Sequence, residues 1–487
     1  MMKRFFSMLL LMALCQCAIA QTATLSTGGM TNEASLKKAV VARTNYIGAK
    51  DSSIYLIQYL QRSPKGTYLT RYDKNMVVQA RRELTEEEDS RCLGGFVGSE
   101  GVELMMAEEG KTTMRTLAQR FDLVTLEPVG EPREMKSLSW GDNGKHDLSV
   151  IDAPGGELSA AIYLVQTDGR NAEAQVSLFD NDLEEYWQMD CPVHVLDDAY
   201  LSDSGEVVLA GFYVKKDDPR TYFEVTYMDG DRLYSFDFDC DIERVHSMEV
   251  VRLAGGRVYV TGSYLSEAST KQKEVFEGIY ALTVNMKNKA VERVSKHTLT
   301  KEEKECMANM ASIPKNSQVP YAAFFGWAAD DKGVTVGYHH AAMLYTNGIP
   351  TQSSTGGILL LRINDKGDIV WTRTLNRNAV SDPFMRILAR GMMKTSGDKT
   401  MVVFADCKYN VGKENASHAR IYSPANSTGQ LHVAWVSRDG DIRHEYLPMP
   451  SKMALVGLPH RVSDNEYNLI LASGSKSAVA KLKIEEN

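Results

Sequence analysis

Beyond its first twenty residues the chain has no long apolar run, and no stretch approaches the ~20 apolar residues that a spanning helix needs. It has no Cys-x-x-Cys pair, which removes structural zinc and thioredoxin-like centres. Five cysteines lie past the leader, Cys92, Cys191, Cys240, Cys306 and Cys407, odd in number and widely spaced. That spacing is unlike a disulfide framework, and they read as small buried hydrophobes. There is no basic stripe: the net charge is -8 with both signs interspersed, which argues against nucleic acid. No Gly-x-Ser-x-Gly elbow, phosphate loop or dinucleotide fingerprint occurs. Also missing are Asp-boxes, tryptophan-docking signatures and the Trp-Asp dipeptide of WD40 blades. No cofactor is implied.

What is present is a strand pattern repeated eight times. Its clearest copies are Gly205-Glu206-Val207-Val208-Leu209-Ala210-Gly211, Gly256-Arg257-Val258-Tyr259-Val260-Thr261-Gly262 and Gly333-Val334-Thr335-Val336-Gly337. The second strand of each unit starts near Ile54, Val102, Leu158, Val207, Val258, Val334, Met401 and Asn468. A four-stranded blade takes ~40–50 residues, so early units are nearly bare and the last ones carry insertions. Third strands such as Ile279-Tyr280-Ala281-Leu282-Thr283-Val284 are continuous apolar runs, as expected of strands buried on both faces. Fourth strands alternate with charge, as an exposed outer edge should. The turns between them, Asp229-Gly230-Asp231, Asp365-Lys366-Gly367-Asp368 and Asp439-Gly440-Asp441, are hairpin chemistry. They lack the ligand series of a calcium loop. The pattern predicts an all-β chain folded as a β-propeller of eight blades, seven being the alternative.

Residues 1–20 read as a signal peptide: Lys3 and Arg4, an apolar core, then Ala18-Ile19-Ala20, with cleavage after Ala20. Cys15 and Cys17 follow Leu14 and Gln16, not the small residue that a lipid anchor prefers. Export to the periplasm, outer surface or medium follows. Residues 21–35, small and polar, read as a flexible leader, and residues 36–487 as a single propeller domain. The last unit lacks an outer strand. Residues 37–42, Lys37-Lys38-Ala39-Val40-Val41-Ala42, are spare strand material that could complete it and close the ring. Thr300 with Glu303 three residues on has capping-box spacing, predicting a short helix over 300–311.

Antiparallel blades send their strand-two-to-three connections and inter-blade links to one face. The insertions at 265–274, 341–356 and 408–429, and the helix, all fall there, on units five to seven. Function concentrates in such loops. Their recognition-type residues are Tyr345, Asn347, Tyr409, His418, Arg420 and Tyr422, with Tyr213, Tyr264, His339 and His340 at strand ends below. The binding candidates are His339, His340, Tyr345, Tyr409, Arg420 and Tyr422. His146, His194, His246 and His460 fall near inner strands and would form a metal ring only if they converged. Asp197, Asp198, Asp239, Asp241 and Glu243 share inter-blade stretches, where a carboxylate pair would suit glycoside chemistry. Asn415-Ala416-Ser417 and Asn426-Ser427-Thr428 fit the glycosylation sequon.

Residues 357–375 join the apolar strand Gly357-Ile358-Leu359-Leu360-Leu361-Arg362-Ile363 to an Asp-x-Gly-Asp turn and the strand Ile369-Val370-Trp371-Thr372-Arg373-Thr374-Leu375. This unit resembles the repeat of secreted bacterial β-propeller-repeat proteins. Weaker copies run over 429–447, where Trp435 sits on the earlier strand, and over 222–238, which lacks the Trp. The resemblance implies a propeller, export and surface or periplasmic binding, with no catalytic residues to carry over. The function expected is non-enzymatic binding of an envelope protein or glycan through the loop-rich face. The alternative is a hydrolase or lyase, metal-assisted or not, acting on carbohydrate or peptide at the channel mouth.

Overall fold

The computed structural model describes residues 21–27, 31–32 and 41–486, the last range interrupted at 61–65, 76, 85–89, 141–144, 167–171, 216, 243, 270–274, 309–320, 347–348, 382–390, 413–419, 424–428, 451–452, 456–459, 464 and 474–475. The signal peptide, His418, Asn347, Glu243 and both sequons therefore lie wholly or partly outside the described residues. Eight antiparallel sheets follow one another around a ring, an eight-bladed β-propeller. Their second strands are Ser53–Leu60, Val102–Glu109, Leu158–Gln166, Val207–Lys215, Arg257–Leu265, Gly333–Thr346, Lys399–Cys407 and Glu466–Ser473. Each begins within two residues of the start expected from the repeat. No described helix is long and apolar enough to cross a membrane.

Burial follows the strand chemistry. In blade five the third strand, Phe276–Asn285, is buried along nearly its whole length, while the outer strand, Ala290–Thr298, is mostly exposed. The buried side chains form apolar clusters between neighbouring blades, and the cluster that runs from blade seven through blade eight reaches Ile54, Leu56 and Tyr72 of blade one. The ring is therefore closed by packing as well as by pairing.

The turns between third and outer strands do more than reverse the chain. Gly230, Gly367 and Gly440 all take positive φ, near 90°, 85° and 87°. Each turn rests on the preceding blade. A Cβ on Gly230 would stand 2.8 Å from Trp187, one on Gly367 2.1 Å from Thr283 Oγ1, and one on Gly440 3.1 Å from Arg373. Hydrogen bonds fix the last of these contacts: Trp371 Nε1 donates to the Arg438 carbonyl (2.7 Å) and Arg373 Nε to the Gly440 carbonyl (2.8 Å). The Trp of the repeat is thus a donor to the next blade's turn.

Closure uses an N-terminal strand, but not the segment expected. Gln21–Thr27 pairs antiparallel with Lys476–Glu486, from Gln21 opposite Glu486 to Thr27 opposite Ala480. It completes the last blade as its outer strand. Residues 37–40 lie outside the described residues, and Val41 opens the inner strand of blade one, Val41–Lys50. Residues 21–27 are therefore strand and not flexible leader. The physical reason is alternation: Ala23 and Leu25 turn to the core while Thr24 and Ser26 face solvent. That is the pattern an edge strand needs, and β-branched Thr favours it. The Ala23 amide also donates to the Glu445 carboxylate (3.2 Å) of blade seven, which accepts from Trp435 Nε1 (3.0 Å).

The helix forms where the capping box placed it. Lys301–Met307 is capped by Thr300, whose hydroxyl accepts from the Glu303 amide while the Glu303 carboxylate accepts from the Thr300 amide. Cys306 and Met307 face inward. None of the five described cysteines is joined in a disulfide, and all but Cys240 are buried.

Deleting residues 21–27 is expected to lower stability by roughly 3 kcal/mol or more, through an exposed sheet edge and lost apolar burial. An unchanged midpoint in urea would overturn that assignment. Gly367→Ala is expected to cost about 2 kcal/mol, from positive φ plus the clash with Thr283. Gly156→Ala, at a φ of 75° with open space around it, should cost about 1 kcal/mol. Equal melting shifts for the two variants would remove the docking role of the turn.

Candidate functional site

Blade six carries its second and third strands past the sheet as a long hairpin, Gly333–Thr346 against Ile349–Asn364. Ala379–Ser381 adds to it opposite Ser353–Thr355. Tyr422, from the blade-seven insertion, then bridges Ala379, its amide donating to the Asn378 carbonyl and its carbonyl accepting from Val380, each at 2.8 Å. The insertions of blades six and seven are therefore stitched into one structure. The helix packs on blade six beside Gly357, where a Cβ would stand 2.5 Å from Cys306 Sγ.

Within this sector the sequence candidates separate by depth. Tyr422 is wholly buried and donates its hydroxyl to the Met453 carbonyl (3.1 Å) of the neighbouring blade. His339 is 2% exposed, edge-on to Phe325, and His340 is buried beside Phe276. Burial holds both imidazoles neutral, at about 3 and about 4. These three are packing residues and leave the list of surface anchors. Tyr345 lies on the blade-six hairpin with its side chain outside the described residues. Tyr409 is 51% exposed, and Arg420 is exposed beside it. The Arg420 guanidinium stands 5.1 Å from the Tyr409 ring centre and Lys408 Nζ 4.9 Å. Val411 and Ile421 add exposed aliphatic surface. A buried clamp holds the pair in place: Asn410 accepts from the Arg420 amide (2.6 Å) and donates to its carbonyl and to Asp406 Oδ1, both at 2.8 Å.

The metal ring does not form. His146 stacks on Trp140, His194 on Tyr213, and His460 on Tyr46, while His246 meets Phe276 edge-on. Among the described residues no group of three His, Cys, Asp or Glu is placed to hold a metal ion. Each histidine finds an aromatic partner instead of its counterparts in other blades. Tyr213 and Tyr264 are half-buried and satisfied at the rim, by Asp237 and Thr298 respectively.

The carboxylates divide as well. Asp239 pairs with Arg220, and Asp241 is a fully exposed partner of Lys296. Asp197 and Asp198 instead enter the central channel and meet Asp152 and Glu249, which sequence reasoning missed. These four line a cavity of about 580 Å³ bounded by the inner strands of blades three to six. Its wall includes Tyr200 and Trp327, whose ring centres lie 5.7 Å apart although their blades are not adjacent. Three of the acids are tethered: Asp152 accepts from Ser159 Oγ (2.7 Å), Asp197 from the Phe212 amide (2.9 Å) and Asp198 from the Val250 amide (2.7 Å). Burial raises all four carboxyls. It brings Asp198 up to about 6 and, helped by the charges of Asp198 and Asp197, Glu249 up to about 8.

No family profile and no curated protein matches the sequence. Solved structures that resemble the fold are β-propeller proteins. The WD40 domain of SCAP from fission yeast aligns at 8% identity and a TM-score of 0.36, over 95% of this chain and 98% of its own. An ulvan lyase from a new polysaccharide lyase family aligns at 9% and 0.39, over 94% and 95%. An oligogalacturonate lyase in complex with manganese aligns at 10% and 0.37, over 96% and 98%. Likeness at that level carries no functional argument.

A carboxyl whose pKa is raised on folding supports the fold fully below its unfolded value and loses that support as pH climbs through the folded one. For Glu249 the window runs from about 4.5 to about 8. Glu249→Gln is therefore expected to stabilise the protein at about pH 8, on the order of 2 kcal/mol, and to be near neutral at about pH 4. Melting curves of both proteins across that range check it. A variant less stable at high pH would contradict the buried placement.

Proposed function

We propose that this chain is an exported, non-catalytic propeller, freed by cleavage after Ala20, that binds a protein or glycan of the cell envelope through the elaborated face of its fifth to seventh blades. The observation that carries this reading is the exposed Tyr409–Arg420 pair on its buried Asn410–Asp406 mount. Tyr and Arg are, with Trp, the residues most enriched among interface anchors: Tyr offers a large contact area with few rotating bonds, and Arg a planar charge with several fixed donors. Here Lys408, Val411 and Ile421 surround them with charge and apolar surface, and the stitched insertions supply rigid ground for the ~800 Å² per partner of an ordinary interface. His339, His340 and Tyr422 serve that face from below, as the packed layer that holds it. The leader-like first twenty residues and the likeness of 357–375 to secreted repeat proteins support the cellular address.

Immobilised mature protein is expected to retain a partner from envelope extract. Tyr409→Ala and Arg420→Ala should each weaken capture about tenfold, near 1.4 kcal/mol, without moving the melting temperature. Asp231→Ala and Asp439→Ala, in turns on the opposite face, should leave capture intact. Capture that survives the first pair and is lost with the second would overturn the assignment. Turnover of a peptide or glycan by the wild-type protein would replace binding with the hydrolase or lyase alternative.

A further inference from the structure

We infer that the central channel binds an organic cation, a guanidinium or ammonium group carried on a short apolar stem. This site is separate from the Tyr409–Arg420 face. The cavity has the volume of a small-molecule site, about 580 Å³. Four carboxyls meet there, Asp152, Asp197, Asp198 and Glu249, and no Lys or Arg is among the residues that line it. The negative field is therefore uncompensated from within the lining. Tyr200 and Trp327 both line the cavity, 5.7 Å and 47° from one another, and aromatic rings attract a cation that has left water. Ile151, Ala199 and Phe324, all half-buried, supply the apolar surface for the stem. A bare metal ion is the poorer occupant, since no three ligands converge among the described residues. An organic cation needs no such shell: it fills the volume, neutralises the acids and stacks on the rings.

Binding then depends on pH. The groups that face the site are Asp152 from blade three, Asp197, Asp198 and Tyr200 from blade four, and His246 and Glu249 from blade five. Arg252, stacked over Tyr259, acts on Tyr200 from outside the lining, and Tyr280 and Tyr338 lie buried behind Glu249. Blade six contributes only the uncharged Phe324 and Trp327. A bound cation favours ionised carboxyls, so occupancy expels protons and affinity falls as the acids take them up.

Titration calorimetry of the mature full chain tests this with two probes: agmatine, for a free small cation, and a blocked tripeptide with central arginine, for a partner's side chain. At least one is expected to bind at about millimolar concentration or below at about pH 8, releasing protons measurable across buffers of different ionisation heat, and to weaken about tenfold at about pH 5. Agmatine alone binding points to a free metabolite-sized ligand, and peptide binding points to a side chain inserted from a partner. Glu249→Gln, nearly isosteric, should weaken the bound probe about tenfold and reduce the proton release, and Trp327→Ala should weaken it with proton release kept. The inference is overturned if neither probe binds, if calcium displaces the probe, or if a neutral pentanol control binds as well as agmatine. Binding to wild type without proton release would overturn it too, independently of how the variants fold.

Discussion

In blades four, six and seven the glycine-bearing turn between the third and outer strands sits on the blade before it, and the ring depends on that contact. Glycine is required there twice over: for positive φ, and because side chains of the preceding blade crowd the place of a Cβ. The side chains of Asp229, Asn364 and Ser437 accept turn amides and keep the three turns tight, while Trp371 and Arg373 reach across to the carbonyls of the following turn. Radial repetition then needs no special element to set blade spacing. At these three junctions the spacing is set by one local hairpin touching its neighbour, and the apolar clusters fill what lies between.

That outward rigidity makes the inside of the ring a place where unfavourable chemistry can persist. Four carboxyls crowded toward one another, Asp198 and Glu249 half-buried and Asp152 and Asp197 still reached by water, gain nothing for the fold. Asp152, Asp197 and Asp198 recover part of the loss through tethering hydrogen bonds, while Glu249 is kept from ionising. The scaffold tolerates them because inner strands are held by their own ladders and by the blades at their backs. The elaborated face repeats the arrangement on its surface: a buried Asp406–Asn410 pair positions exposed Tyr409 and Arg420.

Much of the fold was legible because strand starts, hairpin glycines and a capping box are local signals, and the structure puts them where Val102, Leu158, Val207 and Thr300 indicated. The closing strand was not legible. Among its described side chains Gln21–Thr27 turns only Ala23 and Leu25 to the core, beside Thr and Ser that equally suit a loose leader. The sector bearing the insertions could be deduced from topology, but depth could not. His339 and Tyr422 sit at the right place around the ring, and sequence has no signal for the layer that covers them. Asp197 and Asp198 stood out beside Asp239 and Asp241 because they share link segments. Their real companions, Asp152 and Glu249, are neighbours across blades, a relation created only when the ring forms.

The ring-closing strand also sets a timetable. Gln21–Thr27 is made before any of the other blades, yet its partner Lys476–Glu486 is made after all of them, so the final blade can be completed only once every other unit exists. Until then the growing chain carries two unpaired strand edges and part of the buried layer that joins blades seven, eight and one. Folding can spread from blade to blade in order of synthesis, because each unit's own contacts are close in sequence. The last step is instead an end-to-end encounter with a very large loop to close, the slowest kind of contact to form. An incomplete copy of this protein is consequently a sticky one, and the polar, threonine-rich character of the first strand keeps its waiting edge soluble until its partner arrives.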